Sequence, residues 1–176
     1  MKKFLAGFCA AAIAAGCMGM TVMADTEATD KLTSYEATSD NVKLIGRTYR
    51  KGDTTILGYS ASGIEFKCTG TKAVFNVNGS VGEARIGVFV NGKLVKQGYI
   101  KNKKTNAVEV DLPEGESTVK LIKLSEAAQS VIAIDSFEVD GKPQPTEAAK
   151  HSIEFIGDSI TCGYGVDDPL GKSFSI

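Results

Sequence analysis

Between residues 42 and 139 the chain is a succession of short apolar or β-branched runs, each closed by Gly, Asn, Asp or Pro. Side chains alternate between faces in a strand, so a period of two marks a sheet with one buried face. Residues 63–69 show it clearly: Ile64, Phe66 and Cys68 share one face, Glu65 and Lys67 the other. After a Thr69-Gly70-Thr71 turn the pattern resumes with Ala73, Phe75 and Val77. Residues 85–90 and 93–100 meet at Asn91-Gly92, a dipeptide that readily takes positive φ at both turn positions and so signals a hairpin. Runs at 42–45, 55–59, 107–112, 118–124 and 131–139 complete the set, with Pro113-Glu114-Gly115 and Asp140-Gly141 as stops. About nine short strands with frequent turns predict an all-β domain over 42–141, a β-sandwich of jelly-roll type. A domain of this size buries an adequate core without disulfides.

The ends read differently. Lys2 and Lys3 precede an apolar, Ala- and Gly-rich stretch, and charge returns abruptly at Asp25. With small residues at Val22-Met23-Ala24, residues 1–24 are expected to be a signal peptide cleaved after Ala24, giving a secreted protein with no stable membrane span. A second processing reading is a lipoprotein anchored through Cys17, in the stretch Ala14-Ala15-Gly16-Cys17. Residues 25–41 are polar and without period, a flexible leader that could end in a short edge segment. Cleavage leaves 18 basic against 21 acidic residues, a net charge of −3. No basic excess points to nucleic acid. Cleavage also leaves only Cys68 and Cys162, which an exported protein could pair, although Cys68 on an inward alternation reads as a small buried hydrophobe.

Residues 142–150 hold Pro143 and Pro145 and no apolar period, and read as a linker. Residues 152–156 form a different kind of run, apolar on consecutive positions around Glu154, as in a strand covered on both faces. Residues 151–176 therefore look like the first strand and helix start of an α/β domain that the chain does not complete. The run ends at Gly157-Asp158-Ser159. A strand, a sharp turn and a helix start present a serine well: Gly157 permits the turn, Asp158 caps or orients it, and amides at a helix start face developing negative charge. Ser159 is the candidate nucleophile, with its own amide as an oxyanion donor.

The string IEFIGDSITCGYG over residues 153–165 resembles the first sequence block of SGNH (GDSL-type) hydrolases, in particular carbohydrate esterase family 2, which places a jelly roll before an SGNH domain. Gly46-Arg47-Thr48-Tyr49, the stretch YSASGIEF at 59–66 and Lys123-Leu124-Ser125-Glu126 resemble that family's N-terminal domain, and the likeness covers most of 42–168. The resemblance implies removal of acetyl groups from plant polysaccharides such as xylan and mannans, with Ser159 as nucleophile and neither metal nor organic cofactor. The Gly and Asn of the oxyanion hole and the general-base His of that family would fall beyond Ile176. The chain is thus expected to be an N-terminal fragment without activity of its own. His151, the only histidine, lies at the far end of an extended run from Ser159, up to about 20 Å away at ~3.3 Å per residue. Asp167-Asp168 reads as a solvated turn, Lys101, Lys103 and Lys104 as a hairpin tip, and Tyr49, Tyr59 and Tyr99 as core or rim residues that could also stack on sugar rings. The alternative to the esterase is a carbohydrate-binding or interaction module built on the sandwich alone.

Overall fold

A computed structural model describes residues 31–80, 82–101, 104–128, 130–151 and 153–161. The described residues contain strands, turns and no helix. The strands are β1 (Thr33–Tyr35), β2 (Lys43–Ile45), β3 (Thr48–Lys51), β4 (Thr54–Leu57), β5 (Gly63–Thr69) and β6 (Lys72–Gly79). They continue as β7 (Glu83–Val90), β8 (Lys93–Lys101), β9 (Asn106–Asp111), β10 (Glu116–Lys123), β11 (Ile132–Val139) and β12 (Gln144–Pro145). They form two six-stranded antiparallel sheets. The first runs β3-β4-β11-β6-β9 with β1 beside β11; the second runs β12-β5-β10-β7-β8 with β2 beside β5. This is the expected sandwich of jelly-roll type.

The alternation read from the sequence is the alternation of burial. Ile64, Phe66, Cys68, Phe75, Val77, Val119, Leu121, Ile134 and Phe137 face between the sheets, nearly or wholly closed to solvent. Phe66 stacks on Phe137 at 4.7 Å between ring centroids, and Tyr35 stacks on Phe137 at 5.8 Å. Such ring pairs add to the area they bury. The Asn91-Gly92 turn joins β7 to β8 with φ of 50° and 79°, and the Asn91 side chain accepts from the Thr118 amide at 2.8 Å. Cys68 is a buried free thiol, pushed up to about 11 by burial, helped by the charges of Asp140 and Glu116. It is a core residue without thiolate chemistry.

Three expectations are corrected. The leader drawn over 25–41 holds the short strand allowed at its end but is not flexible over its second half: β1 pairs with β11, and Ala37 is fully buried, its carbonyl accepting from Thr55 Oγ1 at 2.7 Å. The linker drawn over 142–150 begins inside the sandwich, because Gln144 and Pro145 pair with Lys67 and Phe66 of β5. Pro145 is tolerated there because the strand is an edge. Beyond it, Thr146 Oγ1 donates to Glu65 at 2.6 Å and Lys43 Nζ donates to the Glu147 carbonyl at 3.1 Å. The strand expected at 152–156 is not formed across 153–156, which no described strand pairs. A strand meant for burial on both faces needs neighbours on both edges. The expected signal peptide, Cys17 and Cys162 lie outside the described residues, as does the expected helix beyond Thr161; Ser159, Ile160 and Thr161 form a turn.

Candidate functional site

Two regions carry the residues singled out by sequence. One is the Gly157-Asp158-Ser159 turn. Asp158 Oδ1 accepts from the amide of Ile160 at 2.9 Å and from that of Thr161 at 3.4 Å. A short acid that ties down amides two and three residues ahead is the local chemistry of an Asx-type turn. Gly157 is required by close approach: a Cβ there would lie 2.1 Å from Thr161 Oγ1. Ser159 thus sits on a turn fixed on one side by a carboxylate and on the other by the absence of a side chain. Both it and its neighbours are exposed, Ile160 at 86 %.

Upstream, Ile153, Phe155 and Ile156 are 80, 81 and 90 % exposed. Apolar side chains this open, in a run patterned for burial, mark a surface built to be covered. His151 is exposed and lies eight positions before Ser159 in the sequence. The turn that carries Ser159 is therefore open to solvent. Among the described residues, no group of three or more His, Cys, Asp or Glu stands together in a way that could hold a metal ion.

The second region is one end of the sandwich. Here the three upstream segments singled out by sequence come together. The Ala61 amide donates to the Lys123 carbonyl at 2.8 Å, and the Lys123 amide donates to the Ser62 carbonyl at 2.9 Å. Ser60 Oγ donates to the Ser125 carbonyl at 3.1 Å, and the Arg85 amide donates to Ser125 Oγ at 3.1 Å. Ala61 adopts φ of 60°, a left-handed conformation that costs a non-glycine residue energy and is held by these bonds. The Arg47 guanidinium lies 5.4 Å from the centre of the Tyr59 ring. Lys123 is the unforeseen member: it is fully buried and its amine donates to the Ser125 carbonyl. Burial pulls its pKa below the usual lysine value, partly opposed by Glu126. Its position on the inward alternation of β10 was visible in the sequence, but a lysine there invites an outward reading.

Of the three tyrosines, Tyr49 is 66 % exposed on β3, Tyr59 54 % in the loop after β4, and Tyr99 50 % on β8. They occupy the rim and outer faces and not the core. Lys101 forms an ion pair with Glu83 at 3.2 Å, while Lys103 and Asp167-Asp168 lie outside the described residues.

Comparison with known proteins gives a family. The model described as "Carbohydrate esterase 2 N-terminal" matches residues 44–148. No curated protein matches the chain. Among solved structures, a family two carbohydrate esterase from Cellvibrio japonicus is similar with a TM-score of 0.68 at 21 % identity, over 81 % of this chain and 44 % of that one. A family two carbohydrate esterase from Clostridium thermocellum in complex with cellohexaose is similar with a TM-score of 0.60 at 27 % identity, over 70 % of this chain and 39 % of that one. A carbohydrate-binding module, CBM36, in complex with calcium and xylotriose shares the fold with a TM-score of 0.51 at 16 % identity, over 60 % of this chain and 97 % of that one. The chain spans less than half the length of either esterase.

Proposed function

The chain belongs to the carbohydrate esterase 2 N-terminal family, and from that membership we propose that it is the amino-terminal part of a secreted esterase that removes acetyl groups from plant polysaccharide. One observation carries this reading: the family's sandwich, matched over 44–148, is followed at once by an exposed Gly157-Asp158-Ser159 turn. In the proposed reaction the Ser159 hydroxyl oxygen attacks the ester carbonyl while a base takes its proton. The tetrahedral oxyanion is met by backbone amides, that of Ser159 among them. Collapse expels the sugar hydroxyl, which regains a proton, and leaves an acyl-serine. Water then attacks the acyl group, releasing acetate and restoring the serine. The scheme uses no metal or organic cofactor.

The base must reach within roughly 3 Å of the serine hydroxyl. The eight positions that separate His151 from Ser159, about 20 Å or more if extended at ~3.3 Å per residue, argue against that role, so the proposal assigns the base to a hydrolase part outside these 176 residues. Export directed by residues 1–24 belongs to the same reading. The binding of cellohexaose by the Clostridium thermocellum esterase supports an extended glycan as substrate.

The test is an acetyl-ester assay on two proteins, the purified 176-residue chain and the same chain joined to a hydrolase part of a family two esterase. The longer protein should turn over and lose nearly all activity as Ser159→Ala, and the short chain should show none. Turnover by the short chain that vanishes in Ser159→Ala would overturn the assignment of the base. A second reading, in which the sandwich itself holds a glycan, is favoured by Tyr49, which stands exposed on the same sheet as a set of hydrogen-bonded amide and carboxylate side chains.

A further inference from the structure

The outer face of the first sheet carries an ordered row that the proposed esterase chemistry leaves unused. Tyr49 stands opposite Ile56, Ile56 opposite Ala133, and Ala133 opposite Asn78. One row of side chains thus crosses β3, β4, β11 and β6, a width of about 14 Å at ~4.8 Å between strands. Its apolar part is the narrow strip Tyr49–Ile56–Ala133, with the Tyr49 ring open to solvent.

Beside that strip lies a break in β11. The register against β6 shifts between Ile134 and Ser136. In a regular strand Ser136 would turn inward after Asp135; the bulge leaves both half-buried, between the inward Ile134 and Phe137. A bulge interrupts a ladder and re-aims side chains, which is why bulges gather at working surfaces. Here it places Asp135 and Ser136 side by side next to the strip. Asp135 takes a hydrogen bond from Thr54 Oγ1 at 3.4 Å on one carboxylate oxygen and from the Asn78 amide on the other. The Asn76 amide donates to Ser136 Oγ at 3.0 Å and to Glu138 Oε1 at 2.8 Å. These planar polar groups are held in fixed orientations before any ligand arrives, which lowers the cost of binding.

The chemistry of the face selects its occupant. A pyranose ring has an apolar C–H face and a rim of hydroxyls that both donate and accept. The strip suits the first, and the bordering carboxylate, hydroxyl and amides suit the second. A polyanion is disfavoured, because the Asp135 and Glu138 carboxylates stand on this face and outnumber Lys51 of β3, while Lys72 of β6 is already paired with Glu109. A protein partner is disfavoured by size: a standard interface buries about 1,600 Å², far more than three side chains in a row can offer. We propose that this outer face binds a neutral, extended oligosaccharide laid across β3, β4, β11 and β6, with one ring on Tyr49 and hydroxyls on Asp135, Ser136 and Asn78. The class of ligand rests on the second reading above; the location does not depend on Ser159.

Titration calorimetry of the purified 176-residue chain with cellohexaose and with xylotriose tests it, together with amide chemical-shift mapping. At least one sugar should bind, with shifts centred on Tyr49, Ile56, Ala133 and Asp135. Tyr49→Ala should weaken binding at least tenfold and Asn78→Ala at least threefold, while Tyr99→Ala on the second sheet leaves it unchanged. Tyr49 is a surface side chain, and a thermal melt on each variant verifies folding. Should Tyr49→Ala fail to fold, Asn78→Ala and the shift map decide. Absence of binding by the parent chain, equal binding by folded Tyr49→Ala, or shifts centred on Tyr59 or Tyr99 would each overturn the proposal. In the longer esterase, Ser159→Ala should lose hydrolysis and keep this binding, so failure of the esterase reading and failure of the glycan face give different results.

Discussion

Two ionisable residues are placed so that their environment dictates how stability should depend on pH. Asp140 follows β11 and closes the turn between β5 and β6: its carboxylate accepts from Thr71 Oγ1 at 2.7 Å, from the Thr71 amide at 2.7 and 3.0 Å, and from the Lys72 amide at 3.3 Å. Partial burial pushes its pKa up, but the hydrogen bonds from Thr71 and Lys72 outweigh it, and the net position is below the ordinary 3.8. A depressed carboxylate stabilises the fold above its unfolded pKa and loses that contribution as pH falls through the folded value. Urea midpoints should therefore decline below pH 4 more steeply in the parent than in Asp140→Ala. At neutral pH that variant should be less stable by about 1 kcal/mol, below the ~1.5–3 kcal/mol usual for hydrogen bonds to charged groups because the group stays open to water. Lys123 has the opposite sign. Burial holds its pKa below 10.5, so the unfolded chain binds the proton better, and stability should rise as pH climbs towards that value. Lys123→Met removes the buried charge at similar length, and the Ser125 carbonyl keeps its donor from Ser60. The variant should be as stable as the parent or more so, by about 1 kcal/mol, with the gap narrowing in alkali. A strong loss of stability would mean that the buried amine has further partners.

At the scale of elements, the close pairing of β5 with β10 rests on Gly63. A Cβ there would fall 2.1 Å from the Leu121 carbonyl oxygen and 2.7 Å from Ile122 Cδ1. Backbone cannot yield as a side-chain tip can, so Gly63→Ala should cost about 3 kcal/mol through forced strand displacement, read as a lowered urea midpoint. The sequence foretold β5 to its ends and the hairpin of β7 and β8, since strict alternation and Asn-Gly are strong local signals. It allowed a short edge segment in the stretch that holds β1 without placing it, and it did not reveal β3 and β12. Thr33-Ser34-Tyr35 and Thr48-Tyr49-Arg50-Lys51 place no fully buried side chain between the sheets and so show no apolar period, while Pro145 looked like a breaker and proved to be an edge residue. These strands exist because neighbours offer them a ladder, information that a local pattern lacks. The candidate site divides in the same way. The Gly157-Asp158-Ser159 turn was legible because its chemistry is confined to a few consecutive residues. The row from Tyr49 to Asn78 and the bulge at Asp135 were not, because registers across four strands bring them together.

At the scale of the whole molecule, the sandwich and the segment after it have different claims on stability. Among the described residues the hydrophobic core cluster lies between Ala37 and Val139, and β12 still contributes backbone pairing to β5. Thr146 and Glu147 are tied to Glu65 and Lys43. After them the described chain is exposed, with Ile153, Phe155, Ile156 and Ile160 more than three-quarters open to solvent. Apolar surface that is equally wet in the folded and unfolded states contributes nothing to folding at about 25 cal/mol per Å². Residues 151–176 should therefore be dispensable to the sandwich, and its boundary should fall near residue 148, later than the polar sequence alone suggested. Ending the chain at residue 150 should leave the melting temperature within about 2 °C, since a loss of even 0.5 kcal/mol would move a domain of this size by about that much. Ending it at residue 143 should lower the melting temperature clearly by removing β12. The chain ending at residue 150 should also stay monomeric at concentrations where the 176-residue chain self-associates through its exposed run. Hydrogen exchange on the longer chain supplies the independent check. Amides 153–156 should exchange at rates near those of an unstructured peptide, while those of β5 and β10 are protected to the level of global unfolding. Strong protection at 153–156 in the monomer, or a large fall in melting temperature for the chain ending at 150, would show that the run has a partner on the sandwich.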